Sequence, residues 1–166
     1  MEEGDDAHLN GGLMRALGIG NAVDAANMTM KAWRLCEKLH EGQTDKAGEP
    51  YWMHPWRVAH IVGGNAYDVC VAYLHDVVED TDATLDELAG EFPAQVTAAL
   101  DAITRRDGEV YKEYISRLAE DRIAYRVKVA DLLDNLDPSR SGSLSDTAKI
   151  RYVKALAYLL GRDDAE

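Results

Sequence analysis

Residues 73–88, YLHDVVEDTDATLDEL, set the fold class. Asp68 just upstream is placed to cap a helix that runs to about Glu79. On such a helix His75 and Glu79 are four apart, as are Asp76 and Asp80, so both pairs share one broad face within a turn of about 5.4 Å. The second half starts again: Thr84 and Glu87 form a T-x-x-E capping box ahead of Leu85, Leu88 and Ala89. A helix, a short polar break and a second helix therefore occupy the middle of the chain.

The same alternation continues outward in both directions. Upstream, from Met30, Ala32, Leu35, Cys36 and Leu39 recur at helical spacing, and the pattern stops near Gly42. A polar loop from Thr44 to Pro50 follows. Pro55 suits the first position of a helix carrying Trp56, Val58, Ala59 and Val62, which ends at Gly63-Gly64. Downstream, Pro93 opens a helix with Val96, Ala99, Leu100 and Ile103, and Tyr111, Tyr114, Ile115 and Leu118 mark another. Ile123, Val127, Ala130, Leu133 and Leu136 give one more, stopped by Pro138, and Ser145 caps a last helix with Ile150, Val153, Ala157 and Leu160. No convincing strand is left, so the expected fold is all-α, a helical bundle in a single domain. Residues 1–27 are rich in Gly, Asn and acid with little periodicity and are expected to be a flexible N-terminal extension, with the domain spanning 28–166.

Composition narrows the function classes. A chain of 166 residues, 46% hydrophobic, is long enough for one sizeable core and too apolar to be wholly disordered. No apolar run approaches the roughly 20 residues of a membrane span. The N-terminus carries Glu2, Glu3, Asp5 and Asp6 and does not look like a secretory signal, so a cytoplasmic protein is expected. The net charge of −12 repels a polyphosphate backbone and argues against a nucleic-acid partner. A small anionic ligand stays open, because a bound divalent cation can reverse the local field. Cys36 and Cys70 sit in apolar helical patterns and read as buried free thiols. There is no Gly-rich G-x-x-x-x-G-K-S/T phosphate loop and no C-x-x-C spacing.

Against that background the unusual residues are His54-Pro55, His75-Asp76, Glu79-Asp80, and Asp131 followed four residues later by Asn135. Asp131 and Asn135 share a face inside an otherwise apolar helix, where an unpaired carboxylate is costly. A metal ion resolves that cost, and so does an ion pair with Arg126 or Lys128; both readings stand. His54 alone reads as a surface or capping residue. The acids at 79, 80 and 82 read as a solvated helix end, although acid near a helix C-terminus opposes the dipole. Together, two imidazoles and two carboxylates make a mixed donor set that suits manganese, iron, zinc or another borderline divalent ion better than calcium. An octahedral ion on four protein ligands keeps positions for water and a phosphoryl oxygen. Glu79 and Asp80 fall one turn away, where a carboxylate can orient the attacking water or handle its proton.

These residues resemble the HD-domain hydrolases of the guanosine alarmone ppGpp, found in bifunctional Rel/Spo enzymes and in stand-alone small alarmone hydrolases. The similar segments are HEGQ at 40–43, KAGEPYWMHP at 46–55, YLHDVVEDTDATLDEL at 73–88 and VKVADLLDN at 127–135, in the family's order and spacing over about residues 30 to 160. The resemblance implies an all-α HD-domain bundle, a manganese ion, and removal of the 3′-diphosphate from ppGpp or pppGpp to give GDP or GTP and pyrophosphate. It implies His54, His75, Asp76 and Asp131 as ligands of the ion and Glu79 and Asp80 as the catalytic acidic pair. Asn135, Lys46, Tyr152 and Arg140 are implied as contacts to a small-molecule nucleotide; a solvated lysine, a core tyrosine and an arginine paired to a nearby acid are the plainer readings. The family commonly has an arginine just before the lysine, near the guanine base, where this chain has Asp45. An aspartate does not stack on a purine as a guanidinium does. An adenosine alarmone or another phosphorylated nucleotide is thus the alternative substrate. A non-catalytic nucleotide sensor is the alternative class, disfavoured by the intact metal set and by Glu79-Asp80. The chain has no room for a synthetase domain, so the implied activity is degradative only.

Overall fold

Apolar residues at helical spacing form helices in a computed structural model of the chain, which describes residues 19–45, 47–139 and 144–163. Nine helices occur among the described residues: α1 (Ile19–Leu39), α2 (Met53–Val62), α3 (Ala66–Leu74), α4 (Val77–Asp80), α5 (Leu85–Ala89), α6 (Ala94–Ile103), α7 (Tyr111–Leu118), α8 (Arg122–Leu136) and α9 (Asp146–Asp163). The only extended pairing among the described residues is an isolated antiparallel bridge between Thr44 and Pro50. The all-α expectation holds. No helix among the described residues is long and apolar enough to cross a membrane.

Three local departures from the sequence pattern have physical causes. α1 begins at Ile19, so residues 19–27 are helical rather than part of an irregular extension. Periodicity detects a buried face, and residues 21–27 are mostly exposed. Secondly, α3 is capped by Asn65, whose side chain accepts from the N–H groups of Tyr67 (2.9 Å) and Asp68 (3.2 Å). Asp68, expected to be the cap, lies in the first turn, is buried, and accepts two hydrogen bonds from Arg126 of α8, at 2.8 and 2.6 Å. Thirdly, the helix expected to run on to Glu79 breaks at His75-Asp76 and resumes as α4. Nδ1 of His75 lies 2.8 Å from the Ala72 carbonyl oxygen, the acceptor that a continuous helix would give to the Asp76 N–H. The capping box of Thr84 and Glu87 forms as the sequence predicts, and Ser145 accepts from the Ala148 N–H at 3.2 Å to start α9.

α8 occupies the centre, packed on α2, α3, α6 and α9, and α1 covers α3. Ala124, Val127, Ala130 and Leu132 of α8 are buried on more than one side, so its sequence shows no single apolar stripe. Leu74, Leu100, Ile103 and Leu118 complete the core, each fully or almost fully buried and each contributing about 1.5–3 kcal/mol by leaving water. Cys36 and Cys70 are free and buried, with burial raising both thiols to about 12. This packing also decides which polar side chains of α2, of the α3–α4 break and of α8 meet.

Candidate metal centre and cavity

His54 is the second residue of α2, His75 and Asp76 lie at the α3–α4 break, and Asp131 projects from α8. Donor atoms of His54, His75 and Asp76 all lie within 4.8 Å of one another. Oδ2 of Asp76 stands 3.2 Å from His75 Nε2 and 3.6 Å from His54 Nε2. Oδ1 of Asp131 approaches the same two nitrogens from α8, at 3.2 Å (His54) and 3.8 Å (His75). Four residues from three separate stretches of sequence are thus brought together.

The histidine rings are oriented from behind. Nδ1 of His75 faces the Ala72 carbonyl oxygen, and Nδ1 of His54 lies 2.6 Å from Asp134 Oδ2. Both partners only accept, so each Nδ1 carries the proton and each Nε2 presents its lone pair to the centre. Nε2 of His75 is buried without a hydrogen-bond partner. Two lone pairs facing two carboxylates in a buried site require a positive charge between them, and a ring N–H held by a carboxylate or carbonyl is the usual support of a metal-binding imidazole. The donor set therefore fits a divalent ion. The electrostatics show the same demand for positive charge, which a proton on either Nε2 also meets. Burial alone would lower the imidazoles, but Asp131, Asp134 and Asp76 raise His54, and Asp76 and Asp131 raise His75 well above its ordinary value. Burial would raise the carboxyls, but His75 and His54 hold Asp76 below the usual range, and Lys128 with the histidines holds Asp131 well below it.

Asp131 meets Lys128 and the two histidines at once. Its Oδ2 accepts from Lys128 Nζ at 2.7 Å, while Oδ1 faces the histidines and accepts from Asn135 Nδ2 at 2.5 Å. Arg126, the other candidate, is committed to Asp68. Two supporting residues were missed in the sequence. Asp134 is buried and takes, besides His54, the Nε of Arg57 at 3.0 Å; burial would raise its pKa, and these two partners lower it. Its position one turn after Asp131 was the available signal. Tyr51 donates its hydroxyl proton between Asp76 Oδ2 (2.7 Å) and Asp80 Oδ2 (3.0 Å), and burial together with those carboxylates keeps the phenol protonated.

Next to the centre lies a cavity of about 510 Å³, lined among others by Glu79, Asn135, Tyr111, Lys128, Arg151 and Tyr152. The acidic pair divides. Glu79 lines the cavity, and its Oε1 accepts from the Arg105 N–H at 2.7 Å, whereas Asp80 is turned to Tyr51. Glu79 as a whole is exposed, yet its carboxyl is partly buried at the cavity mouth; that burial raises its pKa, Asp76 adds to the rise and the Arg105 N–H opposes it. Asp45 also lines the cavity, but Oδ1 accepts from the N–H groups of Ala47 (2.8 Å) and Glu49 (3.0 Å), so the carboxylate shapes the loop rather than reaching inward. Lys46 and Arg140 lie outside the described residues.

A family model described as "HD domain" matches residues 32–109, the span that holds His54, His75 and Asp76. Residues 32–109 are thus similar to an HD domain. The chain is 32% identical over 152 residues to a probable GTP pyrophosphokinase of Mycobacterium leprae, a match spanning 81% of this chain and 19% of that protein. Proteins named guanosine-3′,5′-bis(diphosphate) 3′-pyrophosphohydrolase match as well. The one from Haemophilus influenzae is 34% identical over 134 residues (72% of this chain, 20% of that protein), and the one from Aquifex aeolicus 31% over 122 (67% and 18%). The chain thus spans about a fifth of the length of these curated relatives. Among solved structures, a metazoan ortholog of SpoT that hydrolyses ppGpp superposes with a TM-score of 0.69 over 80% of this chain and 85% of that one, at 23% identity. That likeness shows a shared all-helical fold.

Proposed function

We propose that this HD domain is a metal-dependent phosphohydrolase that removes the 3′-diphosphate of a guanosine alarmone, ppGpp or pppGpp. The observation that carries the reading is the pair of imidazole lone pairs, oriented by Ala72 and Asp134 toward Asp76 and Asp131 at the wall of a cavity about 510 Å³ in volume. His54, His75, Asp76 and Asp131 would hold the ion, with manganese the expected choice. When bound, such an ion polarises phosphorus and lowers the pKa of water. The names of the Haemophilus influenzae and Aquifex aeolicus relatives support a guanosine bis-diphosphate as substrate.

The chain's own groups supply the rest. Glu79, fixed through one oxygen by the Arg105 N–H, keeps the other free to take the proton of the attacking water. Water oxygen bonds to the phosphorus next to the ribose 3′-oxygen, that P–O bond breaks, the 3′-oxygen gains a proton, and pyrophosphate leaves with GDP or GTP as the other product. Asp80 acts through Tyr51, which steadies Asp76. Asn135 and Tyr152 are proposed nucleotide contacts, supported by their places in the cavity lining. Lys46 and Arg140 are assigned the same role on the resemblance alone. A second reading, an adenosine alarmone or another phosphorylated nucleotide, is favoured by one observation: Asp45 is committed to backbone N–H groups, so position 45 offers no cation to stack on guanine.

The deciding experiment is turnover of ppGpp and its adenosine counterpart, side by side, by purified protein with manganese, with products resolved by ion exchange. GDP and pyrophosphate from ppGpp, lost in Asp131→Ala, is the expected result. Faster turnover of the adenosine compound moves the function to the second reading. No turnover of either, or full activity in Asp131→Ala, refutes the proposal.

A further inference from the structure

Tyr111 opens α7, and the apolar run Tyr114, Ile115 and Leu118 marks it as one more core residue. Its ring instead sits half-buried in the cavity wall. The hydroxyl oxygen is shielded from solvent and has no hydrogen-bond partner. Tyr114, one turn along the same helix, shows the ordinary solution, donating its hydroxyl to the Ile103 carbonyl oxygen at 2.5 Å. Buried hydroxyls without a partner are rare because they forfeit the hydrogen bonds that water supplied, and a ligand or ordered water commonly completes those that survive.

The surroundings of Tyr111 indicate the sign of the missing partner. The Arg151 guanidinium lies 4.9 Å from the Tyr111 ring centre and the Arg105 guanidinium 5.8 Å from it, and Lys128 lines the same cavity. Three cationic side chains thus line one cavity of a chain whose net charge is −12; Lys128 is paired with Asp131 and Arg105 donates to the Glu109 carbonyl oxygen, and both keep their charge. The acids nearby are already engaged: Asp76 with the histidines and Tyr51, Asp131 with the histidines and Lys128, Glu79 with the Arg105 N–H. The unpartnered hydroxyl thus belongs to a cavity wall that carries cationic side chains, a setting suited to an anion.

Resting on the phosphohydrolase reading of this cavity, we propose that Tyr111 is a substrate-binding residue whose hydroxyl donates to a terminal phosphate oxygen of the diphosphate. Arg151 and Arg105, held against its ring, supply the balancing charge. The pair of phosphates is thereby held at both ends, one at the metal centre and one at Tyr111, which selects a diphosphate over a monophosphate.

Tyr111→Phe removes one oxygen and leaves the ring on which both guanidinium groups lie. The test compares wild type and variant in binding of radiolabelled inorganic pyrophosphate by equilibrium dialysis with manganese, in thermal midpoint, and in KM and kcat for ppGpp. Expected are a tenfold or greater weakening of pyrophosphate binding, a matching rise in KM, unchanged manganese affinity, and a midpoint that is unchanged or higher because an unsatisfied buried group is gone. Equal pyrophosphate binding by the two proteins overturns the proposal, as does absence of binding by wild type. A lower midpoint in the variant also overturns it, since the hydroxyl then has a structural partner. Arg151→Gln should weaken pyrophosphate binding and flatten its salt dependence; unchanged binding there removes the clamp. Lack of ppGpp turnover by wild type refutes the substrate and leaves this site standing, because pyrophosphate binding is read without turnover.

Discussion

Asp134→Asn probes the orientation of His54 without touching a proposed ligand of the ion. In the wild type one carboxylate oxygen takes Nδ1 of His54 at 2.6 Å and the other takes Nε of Arg57 at 3.0 Å. A carboxamide has a single acceptor oxygen, so one of these donors must face an NH2 group. If the oxygen stays on His54, the ring keeps its tautomer against a weaker, neutral acceptor. Arg57, whose Nη2 already lacks a partner, then loses its charge-assisted bond. Loss of such an orienting partner typically weakens metal binding about 10–100-fold, or roughly 1.4–2.7 kcal/mol. The donor left unpaired costs about 1–3 kcal/mol of folding stability, toward the low end because the Arg57 side chain is 21% exposed. For a chain of this size that is about 2–4 °C in Tm for each kcal/mol. Manganese titration followed by electron paramagnetic resonance gives the first quantity, and differential scanning fluorimetry of the metal-free protein the second. A manganese Kd within twofold of wild type, with Tm lowered, would show that Asp134 only fastens α2 to α8 and would refute the orienting role.

Two further outcomes are expected. Glu79→Gln keeps an oxygen for the Arg105 N–H but removes the proton acceptor, so metal affinity should persist while kcat falls roughly 10²–10⁴-fold; an unchanged kcat sinks the assignment. Glu109 is held at about 2, below its ordinary 4.5, chiefly by hydrogen bonds from Arg117 at 2.7 and 2.9 Å. Because the folded value is the lower one, this pair stabilises the fold fully above about 4.5 and loses that contribution as pH falls toward 2. The Tm difference between wild type and Glu109→Gln should therefore shrink over that window, and a constant difference would exclude the linkage.

Much of the molecule was legible before folding because it depends on residues within a turn of one another. The capping box of Thr84 and Glu87, the Pro138 stop after α8, and the apolar spacing of α6 and α7 are short-range matters of sterics and hydrogen bonding. The proposed metal donors were legible for a different reason: His-Asp, His-Pro and an Asp inside an apolar helix are residue types that a core tolerates only with partners. The start of α1 was not legible, since its first turns bury no face that a pattern could reveal.

Sequence by itself thus determined most of the helices, the all-α class and the residues with chemistry to offer. Tertiary structure decided their allegiances. Asp68 could cap a helix or pair across the bundle, and the approach of α8 to α3 gave it to Arg126. Asp131 could hold a lysine or face two imidazoles, and the position of α8 beside α2 and the α3–α4 break let its two oxygens do both. Asp134, Tyr51 and Tyr111 look like ordinary helix-end and core residues in one dimension. Their hydrogen bonds, or the lack of one, depend on where another helix places its side chains, and that follows from packing angles that no local pattern encodes.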